Sequence, residues 1–234
     1  LNEFGKEMNI LPLQVQKTTP EKTNRRSSLK CSDSINQNRS DNGAISSELI
    51  ESSSDSICIS ETFDRGRLIV LIDGSNLFYA ALQLGIEIDY AKLLKRLALS
   101  GRLLHAFFYT GVDPSNDKQQ GFLSWMRHNG YRVVTKDMVH FADGSKKANL
   151  DVEIAVDMMR LAQHCDTLIL VSGDGDFAYP IKNLIYRGVR VEVVGLRSMT
   201  SNSLIDVADC YVDLQSLRAE IQRLDKFNIE ANNI

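Results

Sequence analysis

The rhythm of apolar and polar positions changes at Arg67. From there, short β-type apolar runs alternate with stretches whose apolar residues recur at helical spacing. That alternation predicts an α/β fold built on a parallel sheet. Strands are expected over 68–72, 103–109, 131–135, 167–171, 189–194 and, shorter, 210–212. Helices are expected near 77–84, 90–99, 119–129, 150–164, 178–187 and 201–207, with a last one near 214–224. Gly130 and Gly188 each stand just past a helix and before a strand, where a left-handed cap is expected. Asp143-Gly144 signals a hairpin turn, so 136–147 reads as an excursion between the third strand and the next helix.

The N-terminal stretch, 1–64, shows no such rhythm and is rich in Ser, Asn, Asp and Lys. Too little apolar surface is present to offset the entropy of ordering it, which predicts a disordered tail. The folded domain is therefore expected over 65–224, with 225–234 as a C-terminal tail.

Composition narrows the function. A net charge of −3 excludes a broadly basic protein that coats nucleic acid by charge alone; any such contact must use a local basic patch. Cys31, Cys58, Cys165 and Cys210 are scattered without a C-x-x-C pair, which predicts neither a zinc site nor a disulfide framework and suits a reducing cytoplasm. No apolar run approaches the roughly 20 residues that span a bilayer, and no signal-peptide core is visible. A cytoplasmic protein without a membrane partner is expected.

The chemistry-bearing residues collect where the expected strands end. In open α/β sheets, sites lie at the carboxyl ends of strands. The first strand runs into Asp73-Gly74-Ser75-Asn76, and the fourth into Ser172-Gly173-Asp174-Gly175-Asp176-Phe177. The intervening helix opens with Asn149-Leu150-Asp151. On a wheel of 100° per residue, Asp151 lies roughly 200° from Glu153. It is thus expected to face the protein with Val152, Ala155 and Met159, while Asp157 lies on the solvated stripe and pairs with Arg160. Convergence of Asp73, Asp151, Asp174 and Asp176 would set carboxylates against one another, a cost that a bound cation or shared proton relieves. Hard oxygen donors without histidine or cysteine select Mg²⁺ or Mn²⁺. Taken singly, each acid could equally cap a helix or favour its dipole. Asn76 and Ser172 are supporting candidates, able to orient a water or a phosphate oxygen.

These motifs resemble the NYN domain, a branch of the PIN-like nuclease superfamily. Asp73-Gly74-Ser75-Asn76, Lys147-Ala148-Asn149-Leu150-Asp151 and Ser172-Gly173-Asp174-Gly175-Asp176-Phe177 carry the likeness. The stretches Phe107-Phe108-Tyr109-Thr110-Gly111 and Ala208-Asp209-Cys210-Tyr211-Val212-Asp213-Leu214 resemble the cyanobacterial LabA-type members in particular. The resemblance implies a three-layer α/β/α PIN-like sandwich with a mainly parallel central sheet. It also implies an acidic site, Asp73, Asp151, Asp174 and Asp176, that holds Mg²⁺ or Mn²⁺ for RNA hydrolysis. LabA-type proteins commonly have Asn where this chain has Ser75, and they are associated with circadian output control.

Two functions follow as expectations. The first is a metal-dependent ribonuclease in which the ions activate a water to attack phosphorus. The second is a non-catalytic RNA- or protein-binding regulatory module on the same fold. Single-stranded RNA would be held by Lys136, Lys146, Lys147 and Arg197, with Tyr109 stacking a base or roofing the core. Trp125 is expected in the core with Phe122 and Met126. Protein partners would engage the N-terminal tail, and a homo-oligomer is a further expectation.

Overall fold

The computed structural model describes residues 64–140 and 146–223. Both tail expectations, and the Asp143-Gly144 turn, lie outside those residues. The strands are β1 (Arg67–Asp73), β2 (Arg102–Val112), β3 (Tyr131–Asp137), β4 (Val139–His140), β5 (Lys146–Lys147), β6 (Thr167–Val171), β7 (Arg190–Gly195) and β8 (Cys210–Asp213). The helices are α1 (Gly74–Leu84), α2 (Tyr90–Leu97), α3 (Asp117–His128), α4 (Asp151–Leu161), α5 (Ala178–Ile185), α6 (Asn202–Ile205) and α7 (Arg218–Ile221).

Six strands form one sheet in the order β3-β2-β1-β6-β7-β8, and every pairing within it is parallel. β1 shows why the sheet is central. Leu68, Ile69, Val70, Leu71 and Ile72 are all 0% exposed, the run of apolar residues expected when both faces are covered. Leu68, Val70 and Ile72 pack on one face with Leu77 and Ala80 of α1, Leu93 of α2 and Leu123 of α3. Ile69 and Leu71 pack on the other with Ile154 and Met158 of α4 and Ile181 of α5. The result is the three-layer α/β/α arrangement. Gly130 and Gly188 take φ of 91° and 80°, the left-handed backbone their positions demanded. β4 and β5 pair antiparallel, Val139 with Lys147 and His140 with Lys146.

Several local expectations are corrected. The first helix begins at Gly74 rather than near residue 77, because the Asp73 carboxylate accepts from the Ser75 and Asn76 N–H groups and caps it. The helix expected over 214–224 shortens to Arg218–Ile221, and the one expected over 201–207 to Asn202–Ile205. α4 does turn Asp151 toward the protein side, but with Ile154, Met158 and Leu161 as its buried companions. Val152 is 70% exposed. At 100° per residue the inward stripe is centred about 125° from the one the sequence suggested, because the apolar positions Val152, Ala155 and Met159 lie on the flank of the true seam. Trp125 is 43% exposed rather than core. No described helix is long and apolar enough to cross a membrane.

Candidate metal centre

β1 and β6 are neighbours whose onward connections diverge: β1 leads to β2 on one side, β6 to β7 on the other. A crevice opens where such connections part, outside the carboxyl ends of the strands. Asp73 is the last residue of β1, and Ser172 follows the last residue of β6. A short relay ties them. Asp73 Oδ1 accepts from the Ser75 and Asn76 N–H groups at 3.0 and 3.1 Å, and its Oδ2 accepts from Ser172 Oγ at 3.2 Å. Ser172 Oγ accepts in turn from Asp174 N at 3.2 Å, and Asp174 Oδ1 from Asp176 N at 2.9 Å. The loop after β6 is thereby folded back so that Asp174 and Asp176 face the opening.

Glycines permit this close fold. A Cβ at Gly173 would meet Met199 O at 2.4 Å, and one at Gly195 would meet Thr200 Oγ1 at 2.6 Å. The loop after β7 therefore clasps the acidic loop, with Ser201 N donating to Gly173 O at 2.9 Å. At Gly74 a Cβ would meet Tyr109 O at 2.7 Å, which lets α1 start immediately beside β2.

α4 brings the third segment. Its first residue, Asp151, has its N–H held by Asn149 Oδ1 at 2.8 Å. Asp151, Asp174 and Asp176 each offer a carboxylate oxygen within 4.8 Å of one another. Asp73 stands outside that set of three, yet remains electrostatically joined to it. Burial raises its carboxyl pKa, and the Asp151 charge raises it further, against the opposing hydrogen bonds from Asn76, Ser172 and Ser75. Oxygens on one Mg²⁺ lie at most about 4.2 Å apart at ligand distances of about 2.1 Å. The observed spacing is within a small side-chain rotation of that, and the donors are hard carboxylates, so the residues fit Mg²⁺ or Mn²⁺. Among the described residues no ion pair engages Asp73, Asp174 or Asp176.

The positions expected to hold RNA fare differently. Lys136 Nζ donates to Asn149 O at 2.9 Å and to Glu153 Oε1 at 2.7 Å. Its ammonium holds the Glu153 carboxyl below the usual range and anchors the entry to α4. Arg197 donates to Asn202 Oδ1 at 2.8 Å and to Thr200 O at 3.5 Å, tightening its own loop. The side chains of Lys146 and Lys147 lie outside the described residues.

One arrangement escaped the pattern reading. Tyr109, paired in register with Asp73, donates its hydroxyl to Asp157 Oδ2 at 2.9 Å. Asp157 also accepts from Arg160 at 2.8 Å and is only 16% exposed. The expected pairing with Arg160 is there, but Asp157 is not a solvated stripe residue: it bolts α4 to the end of β2. Burial, then the Asp157 charge, pushes the Tyr109 phenol well up, so it stays a donor. Tyr109 is 1% exposed and so roofs the core rather than stacking a base. An aromatic hydroxyl at a strand end with an acid in the facing helix was the available signal.

The NYN domain family profile matches residues 67–216. A curated relative, "Low amplitude and bright protein LabA" of Synechococcus elongatus, is 34% identical over 172 residues, covering 70% of this chain and 92% of that protein. A crystal structure of a protein of unknown function from Vibrio parahaemolyticus superposes with a TM-score of 0.58 at 30% identity, covering 64% of this chain and 94% of that one.

Proposed function

The chain belongs to the NYN domain family, and from that membership we propose that it is a metal-dependent ribonuclease. The observation that carries the proposal is the meeting of Asp151, Asp174 and Asp176 within 4.8 Å at the sheet's switch point, with Asp73 beside them. A site for phosphate alone gains nothing from gathered carboxylates, since they repel the ligand. A divalent cation at this position supplies Lewis acidity toward a phosphodiester oxygen and a more acidic water.

In that reading, Asp151, Asp174 and Asp176 hold the ion. Asp73 shapes the site's charge while capping α1. Ser172 keeps Asp73 and the Asp174 backbone in register, and Asn76 presents its half-buried side chain at the same edge. Purified protein incubated with a panel of RNAs, with and without Mn²⁺, tests this. Cleavage that needs Mn²⁺ and is lost in Asp174→Asn is the expected result; no cleavage of any RNA that binds would overturn it.

A regulatory, non-catalytic module is the second reading. It is favoured by Lys136 and Arg197 being committed to internal hydrogen bonds and by a relative whose name describes no reaction. Calorimetry separates the two: a module of this kind gives the same Mn²⁺ heats for the native protein and for Asp174→Asn.

A further inference from the structure

The face of α5 directed away from the core, continued by the helical residue that caps it, carries two unusually exposed aromatics, Tyr179 at 76% and Tyr186 at 86%. On a wheel of 100° per residue they fall about 20° apart, opposite the midpoint of Ile181 and Leu184, which are both 0% exposed. Lys182 projects between them along the same side and is exposed, as is Arg187 just beyond. Among the described residues, neither cation enters an ion pair. Exposed tyrosines alone have many explanations; two aligned tyrosines with an uncommitted ammonium between them have fewer.

The stripe is also continuous with the acidic site. The turn Gly175–Phe177 runs directly into α5, with Phe177 and Ala178 both in right-handed helical conformation. Asp176 and Tyr179 are therefore three residues apart on one helical path, which sets their Cβ atoms about 5–6 Å apart. From there the seven residues to Tyr186 extend about 10 Å along the helix. Single-stranded nucleic acids are held by this combination: cations for the backbone and flat π-faces for unpaired bases. A second protein surface would match the tyrosines but has no use for a track that begins at a cation-binding site.

We propose that Tyr179, Lys182 and Tyr186 form a base-stacking track that leads single-stranded RNA to the acidic site. The inference rests on the ribonuclease reading and assigns it a substrate class, unpaired rather than duplex RNA. Each tyrosine offers its ring to one base, and Lys182 meets the intervening phosphate.

The test is fluorescence anisotropy with labelled oligouridine in EDTA, beside the same length of RNA duplex, with Mn²⁺-dependent cleavage of the oligouridine measured separately. Replacing both tyrosines by alanine is expected to weaken single-strand binding by about 30-fold or more, given the usual worth of base–aromatic stacking at two bases. Phenylalanine at both positions keeps the π-faces and should restore binding to within about threefold. Lys182→Glu should weaken it and flatten its salt dependence. In the cleavage assay the alanine pair should raise KM and leave kcat near the native value. Native protein that binds and cleaves oligouridine while the alanine pair binds it equally well overturns the track and spares the nuclease. Native protein that neither binds nor cleaves RNA overturns the underlying reading as well. Light scattering on both proteins covers the remaining case: a native dimer that the alanine pair dissolves would make this stripe a protein interface.

Discussion

The two ends of the central sheet treat charge in opposite ways. At the end where β1, β6 and β7 begin, acids meet arginines. Arg65 and Glu192 are both 0% exposed in their side chains and are joined to each other; Arg65 also donates to Leu97 O and Leu99 O at 2.8 and 2.9 Å. Arg190 Nε reaches the same Glu192 at 2.9 Å. Arg67 grips Asp166 through two hydrogen bonds at 3.0 and 2.9 Å. At the opposite end, the Asp73 and Asp174 carboxylates accept from hydroxyl and backbone N–H groups, with Asp151 and Asp176 close by. Both ends hold carboxylates that are at least partly withdrawn from solvent, Glu192 at one and Asp73, Asp151 and Asp174 at the other. The first neutralises them with guanidinium groups, and that end is built for stability. Like charges within 4.8 Å repel by about 1 to 3 kcal/mol per pair, depending on local dielectric. In the proposed reading, a divalent cation offsets that repulsion.

Breaking the compensated end should have the largest effect. Arg65→Ala leaves Glu192 buried and removes the bonds to both carbonyls, so urea unfolding should show a loss of about 3–5 kcal/mol. Mn²⁺ affinity of the remaining folded protein should be unchanged. If Arg65→Ala were as stable as the native chain, the contrast between the two ends would collapse.

The acidic end should respond to metal instead. Mn²⁺ at about a hundred times its dissociation constant should stabilise the native protein by about 2.7 kcal/mol. Thermal melts of Asp174→Asn should show none of that gain. An equal shift in both proteins would place the ion elsewhere.

Asp73 gives the smallest and most diagnostic effect. Its folded pKa lies above the unfolded value, so between the two the folded state binds the proton more tightly. Without divalent ions, stability from this group should therefore fall as pH rises through that window, from the ordinary carboxylate range upward. Asp73→Asn keeps a good helix cap and removes the charge. In EDTA at neutral pH its Tm should rise, by about 2–4 °C for each kcal/mol relieved, and the pH slope should flatten. A lower Tm would mean that the carboxylate's cap and its bond to Ser172 outweigh its desolvation.

These contrasts mark what pattern alone could see. Strand positions were legible because the period-2 and continuous apolar runs of β1, β6 and β7 leave few alternative placements. The acids were legible because Gly-flanked aspartates ending two strands have a topological meaning in a parallel sheet. The Arg65–Glu192 pair was not: its members are 127 residues apart, and a lone Glu in a strand reads as solvent-facing until the neighbouring layer is placed. The bond between Tyr109 and Asp157, 48 residues apart, was missed for the same reason. The Tyr179–Tyr186 stripe lies at helical spacing in the sequence, yet exposed and buried aromatic stripes look alike until one knows which side meets the sheet.

What the chain determined unaided is its alternating architecture and the residue types at the strand ends, since both arise from local periodicity and turn chemistry. Which carboxylates come within 4.8 Å of one another and which tyrosines face water were decided only in three dimensions. Those properties depend on distances between segments far apart along the chain, and a distance set by packing has no local period to read.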